Sequence, residues 1–263
     1  MTISSSQCAS RAQRGFGLIE LMIALALGLI LVVGVVQVFL ASNQTFNLQQ
    51  RAAGLQEDAR FVLSRMSSEL RMVNMYGCLN LARLPESIRD TLPSELDQPI
   101  RFAGGVLTVV TADPNTELFA ASATKPVSDY GAQWLIATNC RDDLRIAGSG
   151  SVSVEPGDIL IPLRQLEYRV NDNQLQVRTN GAGSYETLIE GVAGFDVSFG
   201  LASAPDELVV DGNYVSSVAS GDSNRIRSVR LALQLSDNPA DTATARVRTQ
   251  EYTLVAALRN RTN

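Results

Sequence analysis

The stretch Arg14-Gly15-Phe16-Gly17-Leu18-Ile19-Glu20-Leu21 decides the fold, because it leads directly into a long apolar segment. Residues 21–36 carry no polar side chain, and after Gln37 the apolar run continues to Ala41. A segment of this length and purity predicts one membrane-spanning helix over about residues 17–41.

The flanks of this segment predict its orientation. Arg11 and Arg14 precede it, so the positive-inside rule places that end in the cytoplasm. The chain then crosses the inner membrane once, and everything after Ala41 lies in the periplasm. No small-residue cleavage site follows the run before the polar region begins at Ser42, so the span is expected to stay in the mature protein.

Glu20 is a carboxylate at the start of a membrane helix, where an ionised group costs on the order of 3 kcal/mol. A cut between Gly15 and Phe16 would create an α-amino group one helical turn away. That group could pair with Glu20 in its own chain or in a neighbouring subunit. The acid also suits the positive end of the helix dipole. The simpler alternative is that Glu20 lies in the lipid headgroup region.

This amino terminus resembles the class III signal of type IV prepilins and pseudopilins, and Gly15, Phe16 and Glu20 match its motif one by one. The resemblance implies cleavage after Gly15 by prepilin peptidase and N-methylation of Phe16. It also implies that Glu20 registers the subunit during assembly. The chain departs from the motif at Gly17, where Ser or Thr is more usual.

Beyond the membrane the sequence keeps a helical period. Its apolar residues recur at steps of three or four and form one stripe: Leu48, Ala52, Leu55, Ala59, Val62, Met66, Leu70 and Val73. The stripe could face a coiled-coil partner, but strands follow it, so we favour packing on the chain's own sheet. The interpretation is a cleaved leader over 1–15, a stalk helix over 16–74 and a periplasmic head over 75–263.

The head is predicted to be mostly β-structure. Residues 81–133 are rich in Pro, Ser, Asp and Asn and indicate a loop-rich connection, with one strand candidate at Val106–Thr111. Alternating patterns predict a hairpin about Asn171-Asp172-Asn173 and further strands around Val197, Leu231 and Leu254. The predicted fold is α+β, a long N-terminal helical stalk packed on a mostly antiparallel β-sheet head.

Of the three cysteines, Cys8 lies in the leader, which leaves Cys78 and Cys140. The predicted topology puts both in an oxidising compartment, where an even pair favours a disulfide. Two free buried thiols are the alternative.

Composition excludes several functions. The chain has no histidine, which removes a Ser-His-Asp triad and histidine-based metal sites, and no cofactor is expected. The carboxylate pairs Asp142-Asp143 and Asp206-Glu207 lack a partner base and are interpreted as solvated loop charges, so we predict that the protein is not an enzyme. The net charge is −5, and the chain has one lysine and no extended run of basic residues, so nucleic acid is not an expected partner.

Segments of the head resemble the PilW group of minor pilins. They are Tyr76-Gly77-Cys78, Leu188-Ile189-Glu190-Gly191-Val192, Val229-Arg230-Leu231 and Arg259-Asn260-Arg261. The resemblance implies a minor pilin that primes type IV pilus assembly, sits near the pilus tip and supports twitching motility and adhesion. The partners it implies are the major pilin, other minor pilins, the inner-membrane assembly platform and a tip adhesin.

Two other functions share the same signal and stalk. One is a minor pseudopilin of a type II secretion system, which a calcium-binding loop would favour. Asp211-Gly212-Asn213 and Asp222-Ser223-Asn224 offer oxygen ligands but match no EF-hand register. The other is a DNA-uptake minor pilin, for which Arg225, Arg227 and Arg230 are the local basic cluster. Ordinary surface charge is the simpler explanation of that cluster.

Overall fold

A computed structural model describes residues 16–79, 81, 84–113, 116–141, 143–241, 243–244 and 249–258. The predicted leader over 1–15, including Gly15, lies outside these residues. The chain forms two compact units, Met1–Gln50 and Arg51–Asn263. Helix α1 covers Leu18–Arg71, so its first part belongs to one unit and its last part to the other.

The part of α1 in the first unit is exposed, and up to Ala41 it is almost entirely apolar. By length and composition it could cross a membrane, and the 18-residue window that meets this criterion has no buried residue. Its large apolar side chains from Leu18 to Leu40 are exposed to at least 47%. An apolar surface of this kind is suited to lipid rather than to water.

The part of α1 in the second unit packs on the chain's own sheets, as the stripe predicts. Its buried residues are Leu55, Ala59, Val62, Leu63, Met66, Ser67 and Leu70. The helix ends at Arg71, three residues before the predicted end at Asn74. Val73 instead forms an isolated β-bridge with Thr111, and Asn74 has a φ of 62°, which a continuing helix does not allow.

The strand pairs of the described residues are all antiparallel, and the α+β prediction is confirmed. The described residues contain two short helices, α2 (Glu86–Arg89) and α3 (Ser94–Asp97), and thirteen strands. The strands are β1 (Ile100–Ala103), β2 (Val106–Ala112), β3 (Glu117–Leu118), β4 (Ala123–Pro126), β5 (Trp134–Thr138), β6 (Leu144–Ala147), β7 (Ser151–Val154), β8 (Ile159–Asn171), β9 (Gln174–Thr179), β10 (Glu186–Ile189), β11 (Val192–Leu201), β12 (Ile226–Leu235) and β13 (Gln250–Ala257).

These strands form three sheets. The largest has the order β1-β2-β8-β5-β6, with β3 and β9 also paired to β8 and β10 paired to β9. The second has the order β11-β12-β13, and the third is the pair β4-β7. The long strand β8 organises the largest sheet, because β2, β3, β5 and β9 all pair with it.

Alternation along β8 divides the core between the two faces of the largest sheet. Leu166 and Tyr168 join the cluster that contains the buried residues of α1 and of β11–β13. Ile161 and Leu163 point to the opposite face and join Tyr76, Leu96 and Trp134. The last part of α1 is thereby enclosed between the largest sheet and the sheet of β11–β13.

The prediction of limited regular structure over residues 81–133 was wrong. This region contains α2, α3, β1, β3, β4 and a 3-10 helix at Val127–Tyr130 in addition to β2. Several of these elements have only two to four residues, too few to show a period. Their strands form because distant strands offer backbone partners, as β8 does for β3.

The hairpin prediction is confirmed. Asn171 pairs with Gln174, and the two residues between them, Asp172 and Asn173, have φ values of 50° and 58°. Positive φ at both central positions is the type I′ geometry that two-residue hairpins favour, and Asp and Asn tolerate it.

Candidate functional site

The amino-terminal end of α1 is closed by Glu20. The Gly17 amide donates to Glu20 Oε2 at 3.2 Å, and the Gly17 carbonyl accepts the amides of Glu20 at 3.0 Å and Leu21 at 3.2 Å. Gly17 is therefore the N-cap and Glu20 the third helical residue. This arrangement is half of a capping box, in which an acid returns to the N-cap amide.

The capping geometry gives a physical role to Gly17, where the chain departs from the motif. The hydroxyl of a Ser or Thr at position 17 would accept the amide of Glu20 and complete the capping box. Gly17 has no side chain for that bond. The capping box therefore has one of its two hydrogen bonds, the one from the Gly17 amide to the Glu20 carboxylate. The spacing Gly17-x-x-Glu20 is a signal for this cap in the sequence, although the prediction gave Glu20 only a charge role.

Phe16 is the first described residue, and its side chain is exposed. It immediately precedes the amide that Glu20 holds. In the uncut chain the nitrogen of Phe16 is a peptide amide, and the carboxylate bonds to Gly17 instead. The carboxylate is thus held at the helix end, one residue after the nitrogen of Phe16.

A disulfide joins Cys78 to Cys140, with their Cα atoms 5.8 Å apart. Cys78 follows the end of α1, and Cys140 lies in the turn between β5 and β6. Thr138 Oγ1 accepts the Cys140 amide at 3.0 Å and donates to the Asp143 carbonyl at 2.7 Å. The bond therefore ties the segment after α1 to a turn that has its own hydrogen bonds.

The three arginines of the basic cluster do not form one basic strip. Arg227 is 3% exposed, and its guanidinium donates to the carbonyls of Pro205, Glu207 and Asn224 at 2.6 to 2.8 Å. Burial lowers the pKa of Arg227 below its ordinary value, although Asp206 opposes the shift. Sequence reasoning missed this role, because no local pattern marks an arginine whose partners are backbone carbonyls.

The other two arginines of that cluster are held locally. Arg225 lies in a 3-10 helix and pairs with Asp222 at 2.9 Å. Arg230 donates to Ser198 Oγ at 3.1 Å and stacks over the ring of Tyr214. The arrangement stabilises the long loop before β12 and gives no support to a groove for nucleic acid.

In the described part of the chain, carboxylates considered for catalysis or for calcium binding make local contacts. Asp142 lies outside that part, and the Asp143 carboxylate pairs with Arg145 at 2.8 Å. Asp211 accepts a hydrogen bond from Ser203, and Asp222 accepts one from Arg225. Among the described residues, no three His, Cys, Asp or Glu side chains are grouped to hold a metal ion.

The segment Glu190-Gly191-Val192 makes a tight contact between sheets. Gly191 has a φ of 78°, and a Cβ there would lie 2.9 Å from the Ser236 carbonyl oxygen. The Ser236 amide donates to the Gly191 carbonyl at 2.9 Å, and the Val192 amide donates to the Asn173 carbonyl at 2.9 Å. Only glycine fits this junction of β10 and β11 without strain.

Comparison with known proteins identifies one family feature. The prokaryotic N-terminal methylation motif matches residues 10–36. No curated protein matches the chain. The motif supports a type IV pilin- or pseudopilin-like protein and points to a structural subunit rather than an enzyme. It implies processing by prepilin peptidase and assembly with other pilins, and with the apolar helix it is consistent with membrane anchoring.

Proposed function

We propose that this chain is a minor pilin that primes assembly of a type IV pilus and is incorporated near its tip. Twitching motility and adhesion would then depend on it through assembly. The observation that carries the proposal is the methylation motif over residues 10–36, followed by an apolar helix and a β-sheet head. The PilW-like segments of the head favour a minor pilin over other members of this class.

In this proposal, prepilin peptidase cuts between Gly15 and Phe16, and Phe16 is N-methylated. The Glu20 carboxylate then pairs with the new α-amino group, in its own chain or in the neighbouring subunit. The geometry supports such a step, because the carboxylate already turns back to the amide of Gly17, directly after Phe16. The pairing neutralises a carboxylate that is costly within a membrane.

The proposed partners follow from the same class of protein. The head lies in the periplasm before assembly and on the pilus afterwards, and the apolar part of α1 leaves the inner membrane through the assembly platform. The head would contact the major pilin, other minor pilins and a tip adhesin.

The experiment that tests this function is deletion of the gene in its host. Surface pili, twitching, DNA uptake and secretion of a type II substrate are measured in the same strain, with complementation by the full chain. Loss of pili and twitching with intact secretion supports the proposal. Normal pili with blocked secretion would overturn it in favour of a minor pseudopilin, and a loss of DNA uptake alone would favour a DNA-uptake pilin.

A further inference from the structure

Strand β13 has one edge without a strand partner among the described residues. Its other edge pairs with β12 in a continuous register. The Leu258 amide donates to the Arg227 carbonyl at 2.9 Å, in line with that register. Backbone groups of alternate residues point to opposite edges of an antiparallel strand. The amides and carbonyls of Glu251, Thr253 and Val255 therefore point away from β12.

Beyond Glu251 near its start, this edge lacks the features that usually protect an exposed strand. Residues 252–257 are Tyr-Thr-Leu-Val-Ala-Ala, without a charge, proline or glycine, and their pairing with β12 shows no bulge. The side chain of Val255 is 50% exposed. Natural proteins protect edge strands with charges, prolines, bulges or a covering element, since a bare edge pairs with other chains.

A groove of about 980 Å³ runs between this edge and α1. Its lining includes Leu63, Met72 and Met75 from α1 and the segment after it, and Tyr252 and Leu254 from β13. Met75 is 40% exposed in the groove. The α1 side of the groove is mostly polar and adds Gln56, Ser64, Ser67 and Ser68 to Leu63. A strand added to β13 would thus find backbone partners on one side and both polar and apolar side chains beneath it. This combination is what β-strand addition requires.

The charge of the groove indicates what the added strand would carry. Arg60 and Arg71 line it, and in the described part of the chain neither forms an ion pair. Glu251 is the acid among the lining residues. A second copy joined edge to edge would bring another Arg60 and Arg71 into the same space, and like charges in apposition oppose binding.

We propose that this groove binds an extended segment of a different pilin-like subunit as a fourth strand beside β13. The segment carries carboxylates that pair with Arg60 and Arg71, and an apolar side chain that contacts Leu63, Met72 and Met75. That the partner is a pilin-like subunit rests on the proposed function. That the groove binds an acidic strand rests on the structure alone.

Amide hydrogen exchange on the full chain in detergent micelles tests the proposal. The probe is a synthetic peptide of alternating valine and threonine with a glutamate near each end. In the free chain the amides of Thr253 and Val255 should exchange fast, while those of Leu254 and Ala256, which point to β12, are protected. Millimolar peptide should slow exchange at Thr253 and Val255 by at least about tenfold.

Variants distinguish the contribution of backbone pairing at the edge of β13 from that of the charges of Arg60 and Arg71. Thr253→Pro removes an outward amide that β12 does not use, so it should abolish the peptide effect without unfolding the chain. A peptide with lysine in place of glutamate should bind about tenfold more weakly. The double variant Arg60→Gln, Arg71→Gln should remove that preference, and Arg101→Gln, an exposed arginine on β1, should keep it.

Three results would overturn the proposal. The first is slow exchange at Thr253 and Val255 in the free chain, because the chain itself would then cover the edge. The second is protection that rises with protein concentration, which would identify a second copy as the occupant. The third is no protection at millimolar peptide. None of these readouts uses pilus assembly, so they can fail or succeed independently of the proposed function.

Discussion

Tyr168 on β8 donates a hydrogen bond to the carboxylate of Glu69 on α1, and so links the helix to the strand that organises the largest sheet. Tyr168 is 1% exposed, and burial together with the nearby Glu69 raises its pKa. Arg65 holds the other carboxylate oxygen at 3.3 Å. The apolar stripe packs α1 on the sheet. The hydrogen bond between Tyr168 and Glu69 is made at only one position of the helix along the sheet, and so fixes that position.

Replacing Tyr168 with Phe should lower the free energy of unfolding by about 1 to 3 kcal/mol, since it leaves the partly buried carboxylate of Glu69 with one partner fewer. Urea unfolding of the wild-type and variant chains, with α1 present, would measure the difference. Arg65→Gln is the control and should cost less than about 1 kcal/mol, because its ion pair with Glu69 is partly exposed. Equal losses in the two variants would contradict the special role of the tyrosine.

Replacing Arg227 with Met should destabilise the head by about 3 kcal/mol or more, because several backbone carbonyls of the loop before β12 would lose their donor. Thermal and urea unfolding would report the loss. Arg230→Met is the matched control on the same strand, since Arg230 is exposed, and it should change stability by less than about 1 kcal/mol. The prediction fails if both variants behave alike.

The double variant Cys78→Ser, Cys140→Ser should lose about 4 kcal/mol of stability, the chain-entropy value for a closed loop with a sequence separation of 62. Unfolding would be followed with and without reductant. Reductant should destabilise the wild type and leave the double variant unchanged. A wild-type head that is insensitive to full reduction would show that the disulfide contributes little.

Glu167 should make stability fall at acidic pH. Burial raises its pKa, but hydrogen bonds from Arg178, Tyr185 and Gln165 outweigh burial, and the net shift is downward. A lowered folded-state pKa gives stability that is present above the unfolded value of about 4.3 and is lost as pH falls through the folded value. Glu167→Gln should flatten this part of the stability curve, and identical pH profiles for the two proteins would exclude the effect.

The variant Glu20→Gln distinguishes two roles of Glu20, the capping of α1 and the negative charge of its carboxylate. Glutamine can still accept the Gly17 amide, so the end of the helix should be retained. It cannot form an ion pair with an α-ammonium at Phe16, so complementation of a deletion strain should fail, with assembled pili reduced at least about tenfold. Complementation as good as that of the wild type would mean that capping is sufficient and the charge is not needed.

Much of the fold could be predicted because its signals are local. The apolar run, the stripe from Leu55 to Leu70 and the hairpin about Asp172 and Asn173 each depend on residues close in sequence. The candidate site at Phe16 and Glu20 was recognised for the same reason. Short elements such as β3 and β4 were missed, because they form only where β8 and β7 supply partners.

The sequence by itself determined the apolar helix, the methylation motif and the α+β class, because helical and strand periodicity depend on residues that are close together in the chain. Only the tertiary structure decided that Arg227 is buried under a loop, that Tyr168 meets Glu69 and that the edge of β13 borders a groove along α1. Each of these features joins segments far apart in the chain. Their positions depend on how sheets and helix pack together, which no local pattern encodes.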